Sequence, residues 1–185
     1  MKLAVNLWTV YGWNLPEPVS ADVLRALARM GSQGVELVID DGANSAETLL
    51  NRRQELSALL AECHLETPSI GTALFWRYNL ASQDATVRRN GLELVRDGCR
   101  VAQAYGAPVL LILAGQQEPQ TDYMRSYTTS VKTMREAARI AAGYDGFLTV
   151  ETPPHGHGSR APATRATGLH AARTSLQWLS GMEDR

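Results

Sequence analysis

Short apolar runs and longer amphipathic stretches alternate through the first 151 residues, and this alternation constrains the fold more than any other feature of the sequence. The apolar runs are Leu3 to Trp8, Val35 to Ile39, Glu66 to Gly71, Val109 to Leu113 and Phe147 to Val150. Each is short, β-branched or Leu-rich, and bounded by Gly, Pro, Asn or Asp, as strands are. Successive runs begin about 31 to 43 residues apart. Val109-Leu110-Leu111-Ile112-Leu113 is apolar without a break, the pattern of a parallel strand covered on both faces.

Four helices are expected between the strands. The first spans about Ser20 to Met30, with Ser20 as N-cap and Val23, Leu24, Leu27 and Met30 facing inward. The second runs from about Ser45 to Cys63, carrying Leu49, Leu56, Leu59, Leu60 and Cys63 at helical spacing. Asn44 or Ser45 can cap it, and Glu47 lies in the first turn, where carboxylates are favoured. The third, about Gln83 to Tyr105, turns Val87, Leu94, Val95 and Ala102 inward and closes at Gly106. The fourth, about Thr121 to Ala142, turns Tyr127, Val131, Met134, Ala138 and Ala141 inward. The resulting β-α-β-α-β-α-β-α-β order is the grammar of a parallel sheet with right-handed crossovers, shared by open doubly wound sheets and (β/α) barrels.

From Thr152 to Arg185 the pattern breaks: there is no Val, Ile, Phe, Tyr or Lys, and three of the four histidines fall here. The segment reads as an irregular, poorly ordered tail with one short helix at most, over 169–182. The domain division expected is therefore 1–151 and 152–185.

Composition narrows the function classes. With 185 residues, 44% apolar content and a net charge of -1, the chain is globular and large enough for a sizeable core. Eighteen basic residues against 19 acidic ones give no electrostatic footprint for nucleic acid. No run approaches the roughly 18 apolar residues of a membrane span, and residues 1–6 do not read as a signal peptide. The expectation is a cytoplasmic protein with no membrane or nucleic-acid partner, and with Cys63 and Cys99 as free buried thiols.

In either parallel architecture, chemistry gathers at the carboxyl ends of the strands. The turn after the first strand, Thr9-Val10-Tyr11-Gly12-Trp13, holds no Gly-x-Gly-x-x-Gly, and no Gly-Lys-Ser/Thr occurs anywhere, which removes most support for nucleotide binding. Six of the 12 aromatics lie in two loops: Trp8, Tyr11 and Trp13 after the first strand, and Phe75, Trp76 and Tyr78 after the third. Such residues suit the apolar face of a small ligand, or they plug a barrel mouth or an interface. Trp8, Trp13 and Trp76 are the aromatic candidates for substrate binding, with Gln116 and Glu36 as polar ones; a salt bridge is an equal reading of Glu36. Glu151 ends a buried strand, where a carboxylate is costly unless it is paired, bound to a cation or reaching water. It is the candidate metal ligand or general base. His155 and His157 lie in the tail, without the fixed geometry a metal site needs.

Four stretches together resemble the xylose isomerase-like TIM barrels, the sugar phosphate isomerase/epimerase group. They are Lys2-Leu3-Ala4-Val5-Asn6-Leu7-Trp8, Met30-Gly31-Ser32-Gln33-Gly34-Val35-Glu36-Leu37, Ala104-Tyr105-Gly106-Ala107-Pro108-Val109 and Leu148-Thr149-Val150-Glu151. The resemblance covers about residues 1 to 151 and implies an incomplete TIM-type (β/α) barrel of about five strands and four helices. It implies a sugar or sugar-like substrate and a divalent cation (Mn2+, Mg2+, Co2+ or Zn2+) at the top of the barrel. In the family a Glu ending strand five, then an Asp, a His and a Glu from strands six to eight, hold that cation; the first of these matches Glu151. The implied chemistry is isomerisation or epimerisation through metal-assisted proton transfer beside a sugar carbonyl.

Nothing after Glu151 resembles strands six to eight, so a truncation or a shifted reading frame near residue 152 is expected. Five strands do not close a barrel; the first and fifth would present open edges, and pairing with a second copy is one way to cover them. Alternatives to an isomerase are a non-catalytic remnant or small-molecule-binding protein, and a zinc-dependent abasic-site endonuclease-like protein. Balanced charge and the scarcity of lysine and core histidines weigh against the last.

Overall fold

The computed structural model describes residues 2–12, 17–144 and 147–151. They form two compact units, one ending at Pro68 and the next beginning at Ser69.

The first unit holds β1 (Ala4–Asn6), α1 (Trp8–Tyr11), α2 (Ala21–Arg29), β2 (Gly34–Ile39), α3 (Ala46–Asn51) and α4 (Arg53–Glu62). β1 and β2 pair in parallel, with Ala4, Val5 and Asn6 in register with Gly34, Val35 and Glu36. On the other edge of β2 the chain passes once at Glu66, whose N–H donates to Gln33 O at 3.0 Å and whose carbonyl accepts from Val35 N at 2.8 Å. Val23, Leu24 and Leu27 of α2 pack into the core with Val35, Leu37, Leu49 and Leu56. Area-proportional burial of these side chains is the main force holding the unit together.

The second unit holds β3 (Ser69–Thr72), a 3-10 turn (Leu74–Trp76), α5 (Ala85–Tyr105), β4 (Val109–Leu113), α6 (Tyr123–Ala142) and β5 (Phe147–Glu151). β3 pairs with β4, and β4 with β5, all in parallel; Leu113 stands in register with Glu151. Asp84 caps α5 by accepting from Thr86 N at 2.7 Å, and α5 ends at Gly106, as its sequence pattern indicates. α5 lies close on β4: a Cβ added at Gly98 would fall 2.7 Å from Leu110. No helix among the described residues is long and apolar enough to cross a membrane.

The structure corrects the sequence reading at five points. Leu7 and Trp8 leave β1 early, because Asn6 Oδ1 accepts from Trp8 N at 2.7 Å and turns the chain into α1. β3 begins at Ser69 rather than Glu66; Pro68 has no N–H to donate to a ladder, so the segment before it makes only the lone contact with Gly34. The long second helix is two helices, broken at Arg52 (φ −91, ψ 8) and capped at Ser45, whose side chain accepts from Thr48 N. Ser20 occupies the N-cap position of α2 without making a side-chain cap bond. α6 buries Ser126, Thr133, Ala137 and Ala141 and leaves Tyr127 53% exposed. Its small residues let the helix approach its neighbours; of the residues expected inside, Ala141 is buried, Val131 and Met134 are half-buried, and Tyr127 and Ala138 are exposed. Residues 152–185, with the tail expected there, lie outside the described residues, as does Trp13.

Candidate functional site

In the first unit the site candidates stand at the carboxyl ends of β1 and β2. Asn6 and Glu36, in register, meet side chain to side chain: Asn6 Nδ2 donates to Glu36 Oε1. The Asn6 carbonyl oxygen simultaneously accepts from Trp8 N, so one amide fixes both Glu36 and the start of the Trp8 turn. Glu36 and Trp8 are half-buried. Tyr11, by contrast, is 3% exposed and belongs to the core with Leu7 and Val10.

The loops after β1 and β2 are held by a buried asparagine. Asn44, fully buried, accepts from Val19 N at 2.9 Å through Oδ1, and its Nδ2 donates to Glu17 O at 3.0 Å and to Asp40 Oδ2 at 3.2 Å. Asp40 completes the cluster, accepting at Oδ1 from Gly42 N and Asn44 N at 2.8 and 2.9 Å. At the other end of β2 a groove of about 640 Å3 opens between Arg25, Arg29, Gln33, Glu62 and His64, with Arg25 and Glu62 paired at 2.9 Å. It lies where α2 and α4 end, away from the strand ends at which parallel folds carry chemistry.

In the second unit Thr72 ends β3 and accepts from Leu74 N at 3.1 Å, starting the turn that carries Phe75 and Trp76. Phe75 is buried to 1%, a core residue, whereas Trp76 is half-buried and Tyr78 stacks under the Arg77 guanidinium at 4.8 Å. Asn79, 4% exposed, faces the loop after β4. Its Oδ1 accepts from Gln116 N at 3.0 Å and Ala81 N at 2.9 Å, and its Nδ2 donates to Gln116 O at 2.8 Å. Gln116, exposed, returns a bond through Nε2 to Trp76 O at 3.2 Å. Glu118 Oε2 accepts from Gln83 N at 3.2 Å, so that carboxylate serves the loop.

The structure thus brings Trp76 and Gln116 together in one unit, and Trp8 and Glu36 close to Asn6 in the other. Glu151 is the last residue of β5, whose Thr149 and Val150 are exposed, so the strand is not the buried one expected. The sequence does not single out Asn44 or Asn79 as clamps; its one signal is the residue type, since asparagine favours Asx turns, and Asn79 Oδ1 makes one here by accepting from Ala81 N. Among the described residues no three His, Cys, Asp or Glu side chains gather where they would hold a metal ion. The described donors therefore do not fit a divalent cation by themselves. Cys63 and Cys99 are free thiols; Cys99 is buried, and burial pushes its pKa up, which keeps it a neutral thiol.

A family model described as the xylose isomerase-like TIM barrel matches residues 24–159. The chain belongs to the xylose isomerase-like TIM barrel family. Its parallel βα units are part of such a barrel. Solved structures agree on the fold of this family member. A D-tagatose 3-epimerase-like protein superposes with a TM-score of 0.69 at 21% identity, over 85% of this chain and 55% of that one. The D-psicose 3-epimerase of Clostridium cellulolyticum H10, solved with D-tagatose, gives 0.63 at 17% identity over 80% and 51%. The D-allulose 3-epimerase of a Methylomonas species, in complex with D-allulose, gives 0.63 at 21% identity over 96% and 59%. The chain spans little more than half the length of these neighbours. No curated protein matches its sequence.

Proposed function

We propose that this chain is a sugar isomerase/epimerase-type protein that takes a ketose at the carboxyl ends of its strands and uses Glu151 to move a proton beside the sugar carbonyl. The observation that carries the reading is the corner formed by Trp76 and Gln116 on the Asn79 clamp. An indole offers an apolar face to the C–H side of a sugar ring, and an amide offers a donor and an acceptor to its hydroxyls. The fold neighbours that carry sugar names, two of them solved with a ketose, support the same substrate class. Trp8, Trp13 and Glu36 are proposed as further substrate contacts.

A carbonyl acidifies the neighbouring C–H, and a carboxylate placed at that carbon removes the proton as a general base. Glu151 is assigned this role. Removing the proton needs one base; inversion needs a second proton carrier on the opposite face. The family's chemistry adds a divalent cation that would polarise the carbonyl; among the described residues no three His, Cys, Asp or Glu side chains gather to hold one.

The reading is tested with D-allulose and D-fructose. Saturable binding by calorimetry is expected. In D2O, the proton at carbon 3 should exchange for deuterium, and Glu151→Gln should slow that exchange about 100-fold or more while binding persists. Absence of saturable ketose binding contradicts the proposal.

A further inference from the structure

We infer that Asn79 is a positioning residue that makes the Trp76–Gln116 corner rigid before any ligand arrives. The inference rests on the proposed ketose site. The geometry is that of a side chain acting as a strand: the Asn79 amide meets both the N–H and the C=O of Gln116, at 3.0 and 2.8 Å, as a neighbouring backbone would in a ladder. Both ends of the amide are committed, and their assignment is fixed by chemistry, because two backbone N–H groups can only donate and the Gln116 carbonyl can only accept.

Gly115 makes the approach possible. It stands at φ +117, and a Cβ there would lie 2.6 Å from Ala81 N and Cβ and 2.7 Å from Asn79 Oδ1. With the Gln116 backbone pinned at two points, its side chain reaches Trp76 O and ties the turn after β3 to the loop after β4. Further bonds continue the seam: Gln83 N to Glu118 Oε2 and Gln83 Nε2 to Thr129 Oγ1, both 3.2 Å, and Ser130 Oγ to Ala114 O at 2.5 Å. A ligand meeting Trp76 and Gln116 therefore finds both already in place, and the entropy of ordering two loops is not charged to binding.

Asn79→Asp separates positioning from mere space-filling. It keeps the shape, replaces the donor with an acceptor, and sets a buried carboxylate against the Gln116 carbonyl, a repulsion that opens the seam and with it the bonds from Ala81 N and Gln116 N. Hydrogen exchange and D-allulose affinity are measured on the full chain for the wild type, Asn79→Asp and Asn79→Ala. Both variants should speed exchange at Ala81 and Gln116 at least tenfold, with Val95 to Ala102 of α5 unchanged, and weaken D-allulose at least tenfold. Deuterium exchange per bound sugar should change far less, because the clamp touches no reacting atom.

Wild-type exchange and affinity in Asn79→Asp would overturn the inference, as would faster exchange with unaltered affinity. If both variants fail to fold, Asn79→Ser takes their place: its hydroxyl can keep a turn bond to Ala81 N but does not span both Gln116 backbone groups. It should speed exchange at Gln116 and weaken D-allulose, and wild-type exchange and affinity would overturn the positioning role. A wild-type chain that binds no ketose defeats the sugar reading, and the exchange rates at Ala81 and Gln116 then decide the clamp on their own.

Discussion

The two units solve one problem with the same residue type and different backbones. In residues 2–68, Asn44 joins the segment after β1 to the loop after β2; in residues 69–151, Asn79 joins the loop after β3 to the loop after β4. Each asparagine is buried and makes three side-chain hydrogen bonds. The first clamp is backed by the Asp40 carboxylate, which collects three donors in a relaxed loop. The second has no such carboxylate at its centre and depends on a glycine in a left-handed conformation. A clamp built on a charged acceptor tolerates changes in backbone; a clamp built on backbone contact does not.

That contrast is sharpest at the glycines. Gly115→Ala drives a methyl into Ala81 N and Asn79 Oδ1 and places a side chain at positive φ, and should cost about 3 kcal/mol in urea denaturation. Gly42→Ala, in the matching loop of the first unit, adds a Cβ 3.7 Å from Asp40 Oδ1, an ordinary contact, and should cost no more than about 0.5 kcal/mol. Equal costs would break the comparison.

The asparagines come next. Asn44→Ala strands Val19 N and Glu17 O, and Asn79→Ala strands Ala81 N with the Gln116 N–H and carbonyl. Each should lose about 2 kcal/mol of stability, the cost of buried backbone groups left without partners. Only the Asn79 change should also alter Trp76 fluorescence, because only that clamp holds the Trp76 turn. An unchanged Trp76 signal in Asn79→Ala would argue that the turn holds itself.

The smallest effects concern the thiols, one in each unit. Cys99 is 3% exposed and Cys63 is half-buried, so iodoacetamide should label Cys63 at least tenfold faster. Burial holds the Cys99 thiol above its ordinary value of 9.0, which favours the neutral form in the folded chain. The stabilisation is complete below about pH 9 and fades as pH climbs through the folded value. Cys99→Ala should flatten this alkaline loss, measured as the difference in urea midpoint between pH 8 and pH 10.

How far the sequence could be read differs between elements for physical reasons. β4 was fully legible because a continuous apolar run has only one home, inside a parallel sheet. The closing glycine of α5 was equally plain. α6 misled in part: Ala141 faces in as expected, but Tyr127 and Ala138 lie outward, Val131 and Met134 are only half-buried, and Ser126, Thr133 and Ala137 take the inner face. Trp76 and Gln116 were legible as strand-end residues, and Trp76 as one of two aromatic loops; their contact was not. It depends on Asn79, whose partner Gln116 lies 37 residues on; in the other unit Asn44's bond to Val19 likewise reaches 25 residues back. Short-range patterns do not encode pairings at that distance; only the Asx turn at Asn79 and the glycine just past β4 hint at them.

The proposal is that the loops after β3 and β4 form a ready-made ketose site. Native-state hydrogen exchange with and without D-allulose tests it most directly. The account predicts that Ala81 and Gln116 are protected in the free chain, at least 100-fold over an unstructured peptide, and that saturating D-allulose adds protection around Trp76 and Gln116 while leaving the groove at Arg25 and His64 unchanged. Free-peptide exchange at Ala81 and Gln116, or D-allulose protection confined to that groove, would contradict it.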